Sequence, residues 1–341
     1  MDQFTYQQGF DNACAELDKK TKPPGSLGYL ETLAAQISAV TGSLKPSNTR
    51  ARTLIFAADH GVAAHGVSAF PQSVTGQMLQ NFASGGAAIN ALCQSVGADL
   101  EVIDTGVIGD PVEGVQNAKI AGSTASFAAG PAMTQAQYQR ALQVGQNSLT
   151  RAVNDNVAYL ALGEMGIANT TAAAAITAAI CNVSASQCTG RGTGIDDQTL
   201  THKTHLIDNA LALHTNRDPA EILRCMGGFE IVAMAGAMMA ANNQPIVLIV
   251  DGYIATAASL CACMIEPDCR NQLVFAHRSV EPGHQLALSA LNAQPLLDLQ
   301  LRLGEGSGAA LAIPLLRCAA SIIREMATFE AAGVDNSLEN Q

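Results

Sequence analysis

A chain of 341 residues is long enough for one large domain or two smaller ones, and 48% hydrophobic content supports a sizeable core. With aromatics at 4% and Trp absent, that core is built from Ala, Leu, Ile, Val and Met, while a net charge of −11 argues against nucleic-acid and anionic-membrane partners. Charged residues are only 14% of the chain, against about 25% in a typical one, which points to surface hidden in a subunit interface.

Residues 2–20 have the mixed polarity of a surface helix, and Lys22-Pro23-Pro24-Gly25-Ser26-Leu27-Gly28 breaks it. A second helical pattern over 28–40 puts Leu30, Leu33, Ala34 and Ile37 on one face, and 42–50 is a polar linker. Short apolar strands then recur at 53–57, 100–103, 157–162, 246–250 and 273–276. Between them lie Ala-rich helical stretches at 84–95, 170–181, 229–241 and 253–264, while 106–135 shows only weak periodicity. Continuous apolar strands alternating with helices predict an α/β fold: a doubly wound, mostly parallel, Rossmann-like sheet covered on both faces.

The polar residues fall at the strand ends. Asp59, Asp104, Glu164, Asp251 and Ser279 each follow a strand. In such sheets the site lies outside the carboxyl ends, so five ends of like character predict a site along that edge. Nine cysteines, an odd number without a C-x-x-C pair, predict a reducing compartment. Cys93, Cys181, Cys225 and Cys318 sit among apolar residues and read as buried. Met1-Asp2-Gln3-Phe4 lacks the basic and apolar regions of a signal peptide, and polar residues interrupt the apolar segments 229–241 and 246–264. A cytoplasmic protein with no membrane span is the expectation.

Three motifs carry chemistry. Gly163-Glu164-Met165-Gly166-Ile167-Ala168-Asn169-Thr170-Thr171 follows a strand and opens a helix, a context in which backbone N–H groups cradle phosphate. It is neither a Walker A loop nor a G-x-G-x-x-G fingerprint. Gly190-Arg191-Gly192-Thr193-Gly194, with Lys203 downstream, reads equally as a ligand-wrapping turn or a surface loop. Leu303-Gly304-Glu305-Gly306-Ser307-Gly308-Ala309-Ala310-Leu311 sets one carboxylate between glycines just before a helix, either as a general base or as part of a capping turn. His60 with His65, and His202 with His205, lack a third ligand at metal-binding spacing, so neither a metal nor another cofactor is expected, although a carboxylate cluster holding Mg²⁺ stays open. No G-x-S-x-G elbow is present.

In chain order, Lys22-Pro23-Pro24-Gly25-Ser26-Leu27-Gly28, Ala58-Asp59-His60-Gly61-Val62, the Gly163–Thr171 run, Gly227-Gly228-Phe229-Glu230, Asp251-Gly252-Tyr253 and Arg302-Leu303-Gly304-Glu305-Gly306-Ser307-Gly308 resemble the nicotinate-nucleotide–dimethylbenzimidazole phosphoribosyltransferases of cobalamin biosynthesis. The resemblance spans roughly residues 20–330. It implies transfer of the phosphoribosyl group of nicotinate mononucleotide to a benzimidazole nitrogen, giving α-ribazole 5′-phosphate and nicotinate. It also implies a homodimer, with a small helical domain from both chain ends (1–45 with 290–341) and a large α/β domain (46–289). By the same resemblance Glu305 is the general base and Glu164 a secondary acid/base candidate near the ribose. Gly166, Gly192, Lys203 and Ser279 hold the phosphate, with Leu303 beside the base. Phe70 and Met78 stand where some relatives have Ser and Gln, which implies an apolar base pocket and relaxed selection for the methyl groups. Two other readings remain: a transferase with another base or donor, and a non-catalytic nucleotide sensor.

Overall fold

The computed structural model describes residues 5–192 and 194–335. Helices α1 (Tyr6–Asp18) and α2 (Tyr29–Thr41) precede β1 (Ala51–Ala58). Next come α3 (Ser73–Ala83), α4 (Ala88–Val96), β2 (Asp99–Gly106), β3 (Gln116–Asn117) and α5 (Gln135–Asn154). Then β4 (Tyr159–Met165) leads into α6 (Asn169–Cys181), α7 (Ala185–Cys188), α8 (Asp197–Leu213), α9 (Pro219–Met226) and α10 (Phe229–Ala240). The chain continues through β5 (Val247–Val250), α11 (Tyr253–Ile265), β6 (Leu273–Phe275), α12 (Pro282–Ala290), α13 (Ser307–Glu325) and α14 (Phe329–Ala332).

The six strands form one sheet of order β3-β2-β1-β4-β5-β6, every pair parallel. The order reverses direction between β1 and β4, which leaves a crevice at their carboxyl ends where crossover helices diverge. Alternate residues on each strand feed different layers. Leu54, Phe56, Leu160, Leu162, Leu248 and Val250 pack with residues of α5, α6, α10 and α11. Tyr159, Ala161, Val247 and Ile249 pack with α1, α2 and α13. Ile55, Ala57 and Val102 meet α3 and α4. Both faces are therefore dry, as the continuous apolar strands require.

The two chain ends meet. Leu17, Leu33 and Ile37 share one cluster with Ala312, Ile313, Leu316 and Ile323. Thr21 N–H donates to Ala327 O at 3.0 Å and Phe329 N–H to Lys19 O at 3.0 Å. The Pro-rich turn between α1 and α2 is tied by Lys22 Nζ to Glu31 at 2.8 Å. Residues 1–4 and 336–341, which sequence reading assigns to a terminal helical unit, lie outside the described residues.

Several local expectations change. The stretch 84–95 becomes helical only from Ala88, because Gly85 takes φ +80°. Helix α3 and the two-residue β3 have no clear sequence signature and were not anticipated. Cys318 is exposed and Cys181 half-buried, so these two are not core thiols; all nine cysteines are unpaired. Among the described residues, α13 alone has the length and hydropathy of a membrane span. It is a core helix, with Ala309, Ala312, Ile313 and Leu316 fully buried beside the sheet.

Candidate active site

A cleft of about 320 Å³ opens over the carboxyl ends of the central strands. Each wall comes from a different element. Phe70 and Met78 come from the segment after β1, Glu164 and Gly166 from the end of β4, and Asn169 and Thr170 from the first turn of α6. Asp251 follows β5; His277, Ser279 and Glu281 follow β6; Leu303 and Glu305 precede α13. Gly192 closes one end. The single-residue expectations thus converge: eight of the nine expected site residues line this one cleft, and Lys203 stands behind its wall.

Glu305 owes its position to backbone that few residues adopt. Gly304, Glu305 and Gly306 have φ of +84°, +61° and +74°. A left-handed glutamate between two left-handed glycines is a costly turn kept by its surroundings. Glu305 N–H donates to Glu164 O at 3.3 Å, tying the turn to β4. Gly163 makes this approach possible, because a Cβ there would lie 2.4 Å from Gly306 N. On the other side, Asp251 Oδ1 accepts from Ala309 N–H at 2.8 Å and so anchors the first turn of α13. The Glu305 carboxyl is buried with Oε2 unpartnered, and burial pushes its pKa above the ordinary glutamate value.

Glu164 lies beside it. A Cβ on Gly304 would sit 2.5 Å from Glu164 Oε1, so that glycine is the space the carboxyl occupies. Asn169 Nδ2 donates to Glu164 Oε2. Burial, then the nearby Glu230 charge, pushes the Glu164 pKa up to about 8. At neutral pH it is largely a neutral carboxylic acid, and two adjacent carboxyls in one cleft are thereby spared full mutual repulsion.

A second set of groups in and behind the cleft wall suits an anion. Gly166 packs where a Cβ would meet Ala58 O at 2.6 Å. Lys203 is only 1% exposed. Its Nζ donates to Thr170 Oγ1 at 2.9 Å and to Gly190 O at 3.4 Å, leaving the third donor without a partner among the described residues. Desolvation lowers its pKa to about 8. Gly192, at φ +53°, donates its N–H to Glu281 Oε1 at 3.0 Å. Ser279 N–H donates to His284 Nδ1 at 2.8 Å, which fixes the hydroxyl-bearing turn after β6.

The mouth is apolar. Phe70 is 48% and Leu303 57% exposed, and Val74, Met78 and Ile254 continue the surface inward. Such rings and side chains offer flat hydrophobic contact to an aromatic ligand.

The other strand-end acids organise loops. Asp104 Oδ1 accepts from Gly106 and Val107 N–H at 3.0 and 2.8 Å, and Asp59 Oδ2 from Ile108 N–H at 2.9 Å. His60 Nε2 pairs with Glu230 at 2.6 Å, both fully buried behind Gly166. His65 turns instead to Ser126 at 2.8 Å, and His202 donates to His65 O at 2.8 Å. Among the described residues no three His, Cys, Asp or Glu side chains are grouped to hold a metal ion.

Sequence reading missed Asn169 as a partner of Glu164, His277 beside Asp251, and Glu281. His277 lies 3.7 Å from Asp251 Oδ1. Glu281 had one usable signal, an acid directly before the helix-initiating Pro282 two residues after Ser279.

Comparison with known proteins agrees with this architecture. A protein-family model described as phosphoribosyltransferase matches residues 5–334. The nicotinate-nucleotide–dimethylbenzimidazole phosphoribosyltransferase of Pseudomonas fluorescens is 50% identical over 331 residues, covering 96% of this chain and 94% of the relative. The protein of the same name from Pseudomonas aeruginosa is 50% identical, covering 95% and 93%. The crystal structure of CobT from Thermus thermophilus superposes with a TM-score of 0.93 at 44% identity, covering 97% of this chain and all of that one.

Proposed function

The chain belongs to the nicotinate-nucleotide–dimethylbenzimidazole phosphoribosyltransferase family, and on that premise we propose how its residues divide the reaction. The enzyme transfers the phosphoribosyl group of nicotinate mononucleotide to 5,6-dimethylbenzimidazole, yielding α-ribazole 5′-phosphate and nicotinate for the lower ligand of cobalamin. The observation that carries the division of labour is a buried carboxyl, Glu305, at the inner end of an apolar mouth, with a buried lysine behind the far wall.

The leaving group is a pyridinium, already cationic, and it departs without a proton. Positive charge develops on the ribose C1′. The attacking benzimidazole uses its unprotonated ring nitrogen and must lose the proton carried by the other. Glu305 accepts that proton; burial raises its pKa above the ordinary glutamate value, which makes its carboxylate a stronger base than an exposed one. Glu164, neutral at that pH, stands beside the ribose as a hydrogen-bond donor and secondary acid/base group. Gly166, Gly192, Lys203 and Ser279 hold the phosphate, with the free Lys203 donor as its charged contact. Phe70, Met78 and Leu303 hold the base. A single displacement across C1′ inverts the anomeric centre and turns a β-nucleotide into an α-product, so rate also comes from holding the two substrates face to face.

An apolar pocket discriminates one methyl group by only about 1–3 kcal/mol, so several benzimidazoles are accepted by this reading. A strict requirement for both methyl groups in competition assays would contradict it. The same reading makes the protein a cytoplasmic homodimer, with residues 1–45 and 290–341 forming a small helical domain on the large α/β domain 46–289; its nine unpaired thiols suit that compartment.

The test is a metal-free incubation with nicotinate mononucleotide and a mixture of dimethylbenzimidazole, benzimidazole, adenine and p-cresol, with products read by mass spectrometry. Phosphoribosylated base and free nicotinate, both lost in Glu305→Gln, are expected. Absence of product from folded protein would remove the assignment.

A further inference from the structure

Glu281 has no part in the division of labour above, yet it is built into the end of the cleft assigned to phosphate. It is the residue before Pro282 at the start of α12, and it is more than nine-tenths buried. Oε1 accepts from Gly192 N–H at 3.0 Å. Oε2 has no partner among the described residues and is pressed under the turn, since a Cβ on Gly190 would lie 2.0 Å from it. The other side of the same turn is held by Lys203, through Gly190 O at 3.4 Å, and Lys203 also grips Thr170 on α6. One carboxylate and one ammonium therefore clasp the Gly190–Gly192 turn from two helices.

The charges around Lys203 single out the same residue. From α12, His284 is kept neutral, its pKa pushed down to about 3 by burial. From α11, Tyr253 is neutral, its phenol donating to Cys188 O at 3.3 Å, and Cys188 on α7 is a neutral thiol pushed up to about 12. Arg191 on the turn is exposed and pairs with Asp197. Glu281 is the buried carboxylate that raises the lysine pKa against desolvation.

We propose that Glu281 is a positioning residue for the donor's phosphate: its carboxylate holds the Gly190–Gly192 turn against the start of α12 and supplies the counter-charge that keeps the Lys203 ammonium in place. This rests on the assignment of that end of the cleft to phosphate. The phosphate then meets a preformed cradle with one lysine donor still free. Without Glu281 the turn loses its anchor and Lys203 sheds its proton at lower pH.

Two substitutions separate the tasks, in steady-state assays with nicotinate mononucleotide and dimethylbenzimidazole varied in turn from about pH 6.5 to about pH 9. Glu281→Gln retains an acceptor for Gly192 N–H and removes the charge. Its donor KM, taken as a ratio to wild type so that the substrate's own titration cancels, is expected to climb with pH to about tenfold, the effect of one pKa unit. The KM for the base is expected to move by less than about twofold, because the mouth of the cleft is untouched. Glu281→Asp keeps the charge and is one methylene too short. Its donor KM should rise by a factor that does not vary with pH.

Parallel pH profiles for Glu281→Gln and wild type, equal rises in both KM values, or a wild-type donor KM in Glu281→Asp would each overturn the proposal. If Glu281→Gln loses its near-UV circular dichroism, Glu281→Asp decides alone by the same criterion. Lys203→Met distinguishes the underlying assignment: an unchanged donor KM there would show that the phosphate does not sit at this end, whatever Glu281 does.

Discussion

Glu305 and Glu164 are the same residue type at the same depth, each 6% exposed, and the proposed function gives them different chemistry. Both are raised by burial, but Glu164 also feels Glu230, and it reaches about 8. Glu305→Gln should lower kcat by about 10²–10⁴-fold, the usual yield of a placed general base, with donor KM little moved. A loss expressed mainly in donor KM would mean that Glu305 binds rather than deprotonates. In the wild type, kcat should rise with pH as Glu305 ionises, at a pH above the ordinary glutamate range. Glu164 carries a stability signature as well. Its folded pKa is about 8 against an ordinary 4.5, so the folded protein holds a proton that the unfolded chain releases. That contribution is fully present below the unfolded value and is lost as pH rises through about 8. Glu164→Gln, which keeps an acceptor for Asn169, should therefore show a smaller fall in Tm between neutral and alkaline pH than wild type. Parallel curves would indicate that Glu164 is ionised throughout. Of these two acids, Glu305 stands out in sequence through the resemblance of its Arg-Leu-Gly-Glu-Gly-Ser-Gly run, since Gly-Glu-Gly before an apolar helix reads equally as a capping turn. The pairing of Glu164 with Asn169 is not, since nothing in a five-residue spacing shows that a strand end and a helix start fold back on each other.

At the scale of elements, glycine decides how closely backbones approach. Helices α5 and α10 touch main chain to main chain: a Cβ on Gly145 would lie 1.8 Å from Ala233 O, and one on Gly236 2.4 Å from Leu142 O. Gly145→Ala must push these helices apart and should cost about 1–3 kcal/mol, as overpacking does, measured as a lower midpoint of urea unfolding. Because Gly145 lies outside the cleft, kcat/KM at a temperature where the protein stays folded should hold. Gly163→Ala makes the opposite test. Its Cβ would strike Gly306 N and the Glu305 carbonyl carbon, displacing the carboxyl proposed as the base. It should lose at least tenfold in kcat, the order expected when a reacting group is misplaced by about 1 Å. Wild-type turnover in Gly163→Ala would show that the Glu305 turn is not set by β4. The strands and Ala-rich helices were readable from their apolar runs. Helix α3 and strand β3 were not: α3 mixes Gly, Thr, Gln and Asn with its apolar residues, and β3 is two exposed residues paired only along β2.

For the whole molecule, the reversal of strand order at β1 and β4 produces the site. Crossovers leave in opposite directions there, so the ends of β4, β5 and β6, the segment after β1 and the N-terminal turn of α13 can surround one volume. The chain ends close over one face: α13 brings Glu305 from far along the sequence to the end of β4, and packs its other side on α2. A chain with 14% charged residues and a predominantly Ala, Leu, Ile and Val core is expected to associate. Sedimentation velocity at micromolar concentration should give a dimer; a stable monomer would remove the homodimer from the proposed function.

The sequence alone determined the parallel α/β class and pointed to the carboxyl edge of the sheet, and its motifs, through the resemblance they carry, named residues to test there. These are local matters of apolar runs, turn chemistry and motif, each readable within about ten neighbouring positions. Only the tertiary structure decided which of those residues share a cleft, that Lys203 lies behind its wall, that Glu281 clasps the turn beside it, and that burial beside Glu230 raises the Glu164 pKa. The physical reason is the same in each case. Burial, charge–charge distance and backbone close approach are set by packing between segments distant in sequence, and no periodicity within a segment encodes which segment it will meet.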